Sequence, residues 1–429
     1  MKKIIKHFLI VIGAVFCISI SVNAFAYAVL NITPESTSAN LNLTGFATIT
    51  YTTTNQTKHT INQLTVDPAY ITTGNPSGIT LINNLCSNYS LPPNGSCTFQ
   101  LLISGAVAQP ASYIIRPRVC GYNGGVCSVP LVSNEVQVTS IPRVAFVTNF
   151  GNNTISECTL NSDGTFGTCT QLQDPTFNGP SGVTLNAIGT YVVVANYNSN
   201  SISICPLNSQ GVVGACTSAQ DPSFDGTTSV KSSFTIKTVY VVNYNNNTIS
   251  ICPITSPGVI GTCTTASQSF SNPDTIALNT LGTFAYITNN SANTVSVCPV
   301  NADGSFGTCT ASNPGGTFHG PAGISINPQL PFAYISNSTN VGGNRNISIC
   351  PINSDGSLGT CTSYISTLFN QDNFGKITVN SAGTLVYVVN QNNNYVTLCT
   401  INPNGQIGSC SQLFPNGTFN SPQGINVGN

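Results

Sequence analysis

The sequence predicts an all-β chain, a six-bladed β-propeller behind a smaller β-sandwich, on three observations. A stretch with paired cysteines, seen most cleanly as SANTVSVCPVNADGSFGTCT from Ser291 to Thr310, returns six times. Successive first cysteines lie 47, 47, 46, 52 and 49 residues apart, the period of a four-stranded blade, and no stretch carries a helical 3.6-residue pattern. The ends also fit each other. The repeat region opens with a second-type strand at Val144 and closes with a lone first-type strand, Gly424 to Val427, so the last strand completes the first blade. Closure of this kind removes the free sheet edge that would otherwise template aggregation.

At the N-terminus, Lys2, Lys3 and Lys6 precede an apolar run from Phe8 to Val22 and the small-residue stretch Ala24 to Ala28. That order reads as a secretory signal peptide over residues 1–28, cut after Ala28, because the run is short for a bilayer span and a cleavage site follows it directly. Export leaves 16 of the 17 cysteines, an even number suited to eight bridges in a periplasmic or extracellular setting.

Residues 29–140 lie outside the repeat. Period-two apolar positions at Ala47, Ile49 and Tyr51, and again at Phe99, Leu101 and Ile103, alternate with turn clusters such as Pro92-Pro93-Asn94-Gly95, the pattern of a β-sandwich. Cys86 is expected to pair with Cys97, and Cys120 with Cys127 around Asn123-Gly124.

From residue 141 the chain is repeat. Each unit reads as four strands: an inner one such as GPAGISIN (Gly320 to Asn327), a second such as FAYISNS (Phe332 to Ser338), then two cysteine strands. The cysteine pairs are Cys158 with Cys169, Cys205 with Cys216, Cys252 with Cys263, Cys298 with Cys309, Cys350 with Cys361, and Cys399 with Cys410. Midway in each pair lies a dipeptide ending in glycine, such as Asp163-Gly164 or Asn404-Gly405, which favours a two-residue hairpin turn and sets the cysteines opposite each other. A three-residue turn with a bulge would shift the register by one and still allow the bridge. Zinc is the poorer reading, since its ligand pairs usually lie two to four residues apart and the mature chain keeps only two histidines.

Motifs such as FAYITNNSANTVSVCPV and GPSGVTLNAIGTYVVVANYNSNSISICPL resemble the YVTN repeats of the lactonase-like β-propeller superfamily, over about two-thirds of the chain. The sequence departs from that pattern at the end of the third strand, where Cys-Pro or Cys-Thr stands in place of an acidic residue. In the first domain, LPPNGSCTFQLLIS resembles the strand region of bacterial immunoglobulin-like domains of the ASPM/SPD-2/Hydin type, which implies a spacer or binding module. The absence of Trp argues against WD40 repeats, and no Cys-x-x-Cys-His marks a haem.

Charged residues make up only 5% of the chain. Nothing attracts phosphate: there is no basic stripe for nucleic acid and no cationic amphipathic helix for a membrane surface. Asp163, Asp303 and Asp355 fall in hairpin turns, and Asp174 and Asp221 in the turn-like DPTF and DPSF. Asn149, Asn196, Asn243, Asn289, Asn337 and Asn390 close the second strand of every unit, where side-chain hydrogen bonds to the connecting turn are the simplest role and a sugar-binding ring the alternative.

A phenylalanine precedes each inner strand (Phe177, Phe224, Phe270, Phe318, Phe369, Phe419) and reads as a wedge between blades. The residue after it varies: Asn178, Asp225, Ser271, His319, Asn370, Asn420. These positions should encircle one mouth of the channel, and Asp225 and His319 could share a cation or polar ligand there. The sequence is thus read as a non-enzymatic binding or surface-interaction protein, without cofactor, nucleic acid or a membrane span after signal cleavage. Its partner would be a protein or carbohydrate surface. Scarce acids and histidines weigh against the alternative, a lactonase-like or metal-assisted hydrolase. A structural envelope role is the third reading.

Overall fold

A computed structural model describes residues 30–428 except 37, 42–45, 68–70, 74–77, 105–111, 132–135, 141–143, 187–189, 209–210, 234–236, 257, 340–344, 370–373 and 414–416. The expected signal peptide lies outside the described residues. Among those described, the regular structure is all β apart from two 3-10 turns, Tyr122–Gly124 and Thr367–Phe369, and no helix is long and apolar enough to cross a membrane.

Residues 30–140 form three small sheets around their own core, in which Leu30, Ile49, Tyr51, Phe99, Leu101 and Ile103 are buried. Ile49, Tyr51, Phe99, Leu101 and Ile103 face inward as the alternation requires. Tyr51 and Phe99, cross-strand partners, stack with ring centroids 5.2 Å apart.

Residues 144–427 form six sheets. The inner strands are Pro422–Val427, Pro180–Leu185, Thr227–Ser232, Pro273–Leu278, Pro321–Ile326 and Phe374–Val379, here assigned to blades 1 to 6. Blade 1 joins the C-terminal strand Pro422–Val427 to the N-terminal strands from Val144–Asn149 onward, as the fitting ends of the repeat require.

Each inner strand touches the next. An added Cβ on Gly424 would lie 2.3 Å from the Ser181 carbonyl, on Gly182 2.7 Å from Ser229 Cα, on Gly323 2.8 Å from Ile377 N, and on Gly375 2.4 Å from the Gln423 carbonyl. Glycine at these places is what lets the backbones approach so closely. Thr228 Oγ1 donates to Pro273 O at 3.5 Å and Thr275 Oγ1 to Ala322 O at 2.6 Å, which completes the circuit among the described residues.

The blade interfaces are apolar. Second-strand residues such as Val192, Val194, Tyr240 and Ile287 are buried on both faces, with the wedge phenylalanines between neighbours: Phe177 lies in the cluster joining blades 1 and 2, Phe224 in that joining blades 2 and 3. A tyrosine latch, which the sequence did not announce, adds to this. The hydroxyls of Tyr240, Tyr286, Tyr334 and Tyr387 donate to the carbonyls of Gly304, Gly356, Gly405 and Gly164, each in the hairpin of the next blade, at 2.8 to 2.9 Å. Tyr387 thereby ties blade 6 to blade 1. Phe146 and Val193 hold the equivalent places in blades 1 and 2 and have no hydroxyl to give.

All eight disulfides join the expected partners, with Cα–Cα distances of 4.0 to 4.2 Å in the propeller pairs. In blades 1, 4, 5 and 6 the turn between them is the three-residue form. In blade 1, Asn161 N donates to Thr165 O and Gly164 N to Asn161 O, and Gly164 alone takes positive φ, 85°. A type I′ turn would need Asp163 left-handed as well. Asp163 instead keeps an ordinary backbone and accepts from Thr165 N and Oγ1, and the extra residue appears as a register shift beyond Cys158.

Candidate functional site in the central channel

The asparagine ring is structural. Asn196 Oδ1 accepts from Asn178 N–H, Asn243 from Asp225, Asn289 from Ser271, Asn337 from His319 and Asn149 from Asn420, all at 3.0 to 3.3 Å. The same amides donate to hydroxyls of the third strand, Ser156, Ser203, Ser250, Ser296 and Ser348, at 2.8 to 2.9 Å. Each of these five amides fixes the loop entering its own inner strand, and the sixth, Asn390, donates to Val388 O and Thr397 Oγ1.

Those bonds also place the residues expected at the mouth. Asn178, Asp225, His319 and Asn420 stand at one end of the channel, held by backbone rather than by side chain; Asn178 and Asn420 are exposed, Asp225 and His319 half-buried. Asn370 lies outside the described residues. Asp225 Oδ1 accepts from Asn245 Nδ2 at 3.1 Å. No hydrogen bond or ion pair links Asp225 to His319 among the described residues, and none of the described residues forms a group of three metal-ligating side chains. Asp174 and Asp221 serve the fold: Oδ1 accepts from Thr176 or Ser223, and Oδ2 from the backbone of Cys216 or Cys263 in the next blade. Burial raises the pKa of both carboxyls, but these hydrogen bonds outweigh it and hold each below its ordinary value.

The cavity is elsewhere. A cup of about 210 Å³ lies within the channel and reaches the turns that follow the inner strands, Asn279 to Gly282, Pro328 and Ser381, at the end opposite Asp225 and His319. The equivalent inner-strand positions Thr184, Lys231, Ala277, Ser325, Thr378 and Asn426 all line it. Two residues earlier on each strand, hence on the same side, stand Gly182, Ser229, Thr275, Gly323, Lys376 and Gly424.

Two of the chain's 11 lysines and arginines therefore line the channel. Lys376, in blade 6, forms a buried ion pair with Asp274 Oδ1 in blade 4 and also donates to the Asp274 carbonyl at 3.2 Å. The pair spans blade 5, where Gly323 leaves room for the lysine backbone: a Cβ there would lie 2.9 Å from Lys376 Cα. This bridge separates the cup from the mouth bearing Asp225.

Lys231, in blade 3, has no such partner among the described residues. It is half-buried by surface area yet enclosed by protein over the range at which desolvation acts, which lowers its pKa from the ordinary 10.5. Two further groups on the cup wall, the buried hydroxyls of Ser232 and Ser381, make no hydrogen bond to the described residues. Of the two lysines that line the cup, Lys231 is the one not engaged in an ion pair among the described residues. Sequence reasoning missed the cup because it sought acids and histidines in loops, whereas Lys231 and Lys376 lie inside apolar strands. The signal was present: each breaks a position that is small or neutral in the other five units.

The sequence profile described as "Lactonase, 7-bladed beta-propeller" matches residues 137–419. The chain belongs to this lactonase family. Its description counts seven blades, whereas the described residues hold six sheets. Among solved structures, the chain is similar to the Pseudomonas aeruginosa periplasmic gluconolactonase PpgL, with 16% identity over 75% of this chain and 97% of that one and a TM-score of 0.47. It is also similar to the Xanthomonas campestris gluconolactonase XC5397 (11% identity, 58% and 84% covered, TM-score 0.40) and to Kuenenia stuttgartiensis hydrazine synthase (13%, 59% and 75%, 0.42). No curated protein matches the chain in sequence.

Proposed function

We propose that this lactonase-family protein is an exported hydrolase that opens a small cyclic ester inside the cup, with Lys231 as the proton-accepting group. The observation that carries the reading is Lys231, with no ion-pair partner among the described residues, on the wall of the cup in a family described as lactonases. A volume near 210 Å³ is below the roughly 300–1,000 Å³ of drug-sized pockets, which suits a single-ring substrate. The non-enzymatic binding role expected from composition becomes the second reading. It is favoured by the engagement of Asp274, the acid beside the cup, with Lys376.

Desolvation gives Lys231 a larger neutral fraction near neutral pH, and a neutral amine is a base. Water adds to the lactone carbonyl carbon while its proton passes to the Lys231 amine. The ring C–O bond then breaks and the leaving alkoxide takes that proton back, yielding the open hydroxy acid. No metal takes part in this scheme.

Six sheets are taken as the whole propeller. Residues 29–140 are taken as an immunoglobulin-like spacer, and eight disulfides support an oxidising compartment. The test is lactone ring opening by the purified mature protein, followed by acid release from glucono-1,5-lactone and γ-butyrolactone. Wild type is expected to turn over at least one, and Lys231→Met to lose about 10²-fold or more of kcat/KM without loss of thermal stability. Absence of turnover with retained lactone affinity would transfer the case to the binding reading.

A further inference from the structure

The residue that follows each ring asparagine is aromatic in three consecutive blades and polar in the other three: Phe150, Tyr197 and Tyr244, then Asn290, Ser338 and Gln391. Phe150 and Tyr197 lie with ring centroids 6.3 Å apart at 57°, and Tyr197 Oη reaches Asn245, the residue after Tyr244, at 3.2 Å. All three residues are half-buried and follow the ring asparagines at the mouth, on the far side of the Lys376–Asp274 bridge from the cup.

Their backbone is anchored and their polar rim is organised. Tyr197 N donates to Gly179 O and Tyr244 N to Gly226 O, at 2.9 and 3.0 Å. Tyr197 Oη donates to Asn245 Oδ1 at 3.2 Å, and Asn245 Nδ2 donates to Asp225 Oδ1 at 3.1 Å. Among the described residues the Tyr244 hydroxyl and Asp225 Oδ2 have no hydrogen-bond partner. An apolar ring face beside an aligned carboxylate and amides suits a ligand with an apolar C–H face and a rim of hydroxyls.

We infer that this mouth is a second binding site, distinct from the cup, for a neutral pyranose at the end of a glycan. The axial C–H face of the sugar stacks on Tyr197 and Tyr244, its hydroxyls donate to Asp225 Oδ2, and the exposed amide of Asn198 bonds the outer ring oxygens. Phe150 extends the platform to the next sugar unit. Aromatic stacking gains little from charge, consistent with a mouth whose Arg345 is engaged by the Ser338 carbonyl.

The experiment is saturation-transfer NMR on the purified mature protein with methyl glycosides of glucose, galactose and mannose and with cellotetraose. The expected result is transfer to at least one probe, strongest on the protons of one ring face, and weakened tenfold or more by Tyr197→Ala with Tyr244→Ala. Asp225→Asn should weaken it less, and Lys231→Met, which alters only the cup, should leave it unchanged. Absence of transfer to every probe would overturn the inference. So would transfer that survives the double alanine variant with circular dichroism unchanged, or that disappears in Lys231→Met.

Discussion

Replacing Asn243 by alanine probes the joint on which every mouth loop depends. The side chain is fully buried; it accepts from Asp225 N–H at 3.2 Å and donates to Thr248 Oγ1 at 3.2 Å and Ser250 Oγ at 2.8 Å. Three neutral hydrogen bonds at about 1 kcal/mol each give a loss of about 3 kcal/mol, to which an unfilled amide-sized void adds. Ser250 keeps Ser223 as a partner at 2.7 Å and Thr248 keeps Asn246 at 2.6 Å, so the orphaned group is chiefly the Asp225 N–H. For a propeller spanning residues 144–427 the loss corresponds to a fall in Tm of about 5 °C. Disulfides and a second domain make a single unfolding free energy unsafe, so the propeller transition should be followed by calorimetry with the bridges intact. Ser267, exposed on the same blade, is the control, and its alanine variant should change stability by no more than the exposed-site norm, about 0.5 kcal/mol. Equal shifts in the two variants would refute the structural role of the ring.

Breaking the channel bridge from one side, by Lys376→Met or Asp274→Asn, should cost about 3–5 kcal/mol because a buried charge is left unpaired, whereas the pair Lys376→Met with Asp274→Leu should recover most of it; denaturant unfolding reads both. Removing one clip, Cys298→Ser with Cys309→Ser, should lower stability by about 3 kcal/mol, and peptide mapping without reductant should find the other seven bridges unchanged. Hydrogen bonds led by the Thr165, Ser305 and Ser357 hydroxyls hold Asp163, Asp303 and Asp355 below their ordinary 3.8, so their contribution is present above that pH and fades as pH falls through the lowered values. Glu157 behaves oppositely: burial raises it above 4.5, its ionised form disfavours the fold at neutral pH, and Glu157→Leu should raise Tm at pH 7 and much less at pH 4.

The sequence reveals the fold so clearly because each blade repeats one small set of physical requirements. Alternation and turn glycines locate the strands, the constant spacing pairs the cysteines, and the matching ends at Val144 and Val427 close the ring. The hairpin type was less legible. Asp-Gly suits both two- and three-residue turns, and only the bonds between Asn161 and Thr165 select the longer one. The asparagine ring could be read as turn-holding because a buried amide at the end of a strand must find partners. The channel was not legible in the same way. Which of two mouths a cavity opens toward depends on the level at which inner strands crowd together, and the Lys376–Asp274 pair joins residues 102 apart in sequence. Glu157 illustrates the same limit: it occupies a place held by Ile204, Ile251, Val297, Ile349 and Leu398 in the other units, a break in the repeat that signals burial only once the blades are stacked.

The most direct test of the channel assignment is the pH dependence of kcat/KM for lactone opening, corrected for the uncatalysed rate, in wild type and in Lys231→Met. A base must be unprotonated to accept a proton, so wild-type kcat/KM should rise with pH to a plateau whose midpoint lies below the ordinary lysine value of 10.5, in the direction that burial shifts Lys231. In Lys231→Met the rising limb should vanish along with most of the rate. A limb that persists unchanged in Lys231→Met would contradict the assignment of the cup as the reacting site.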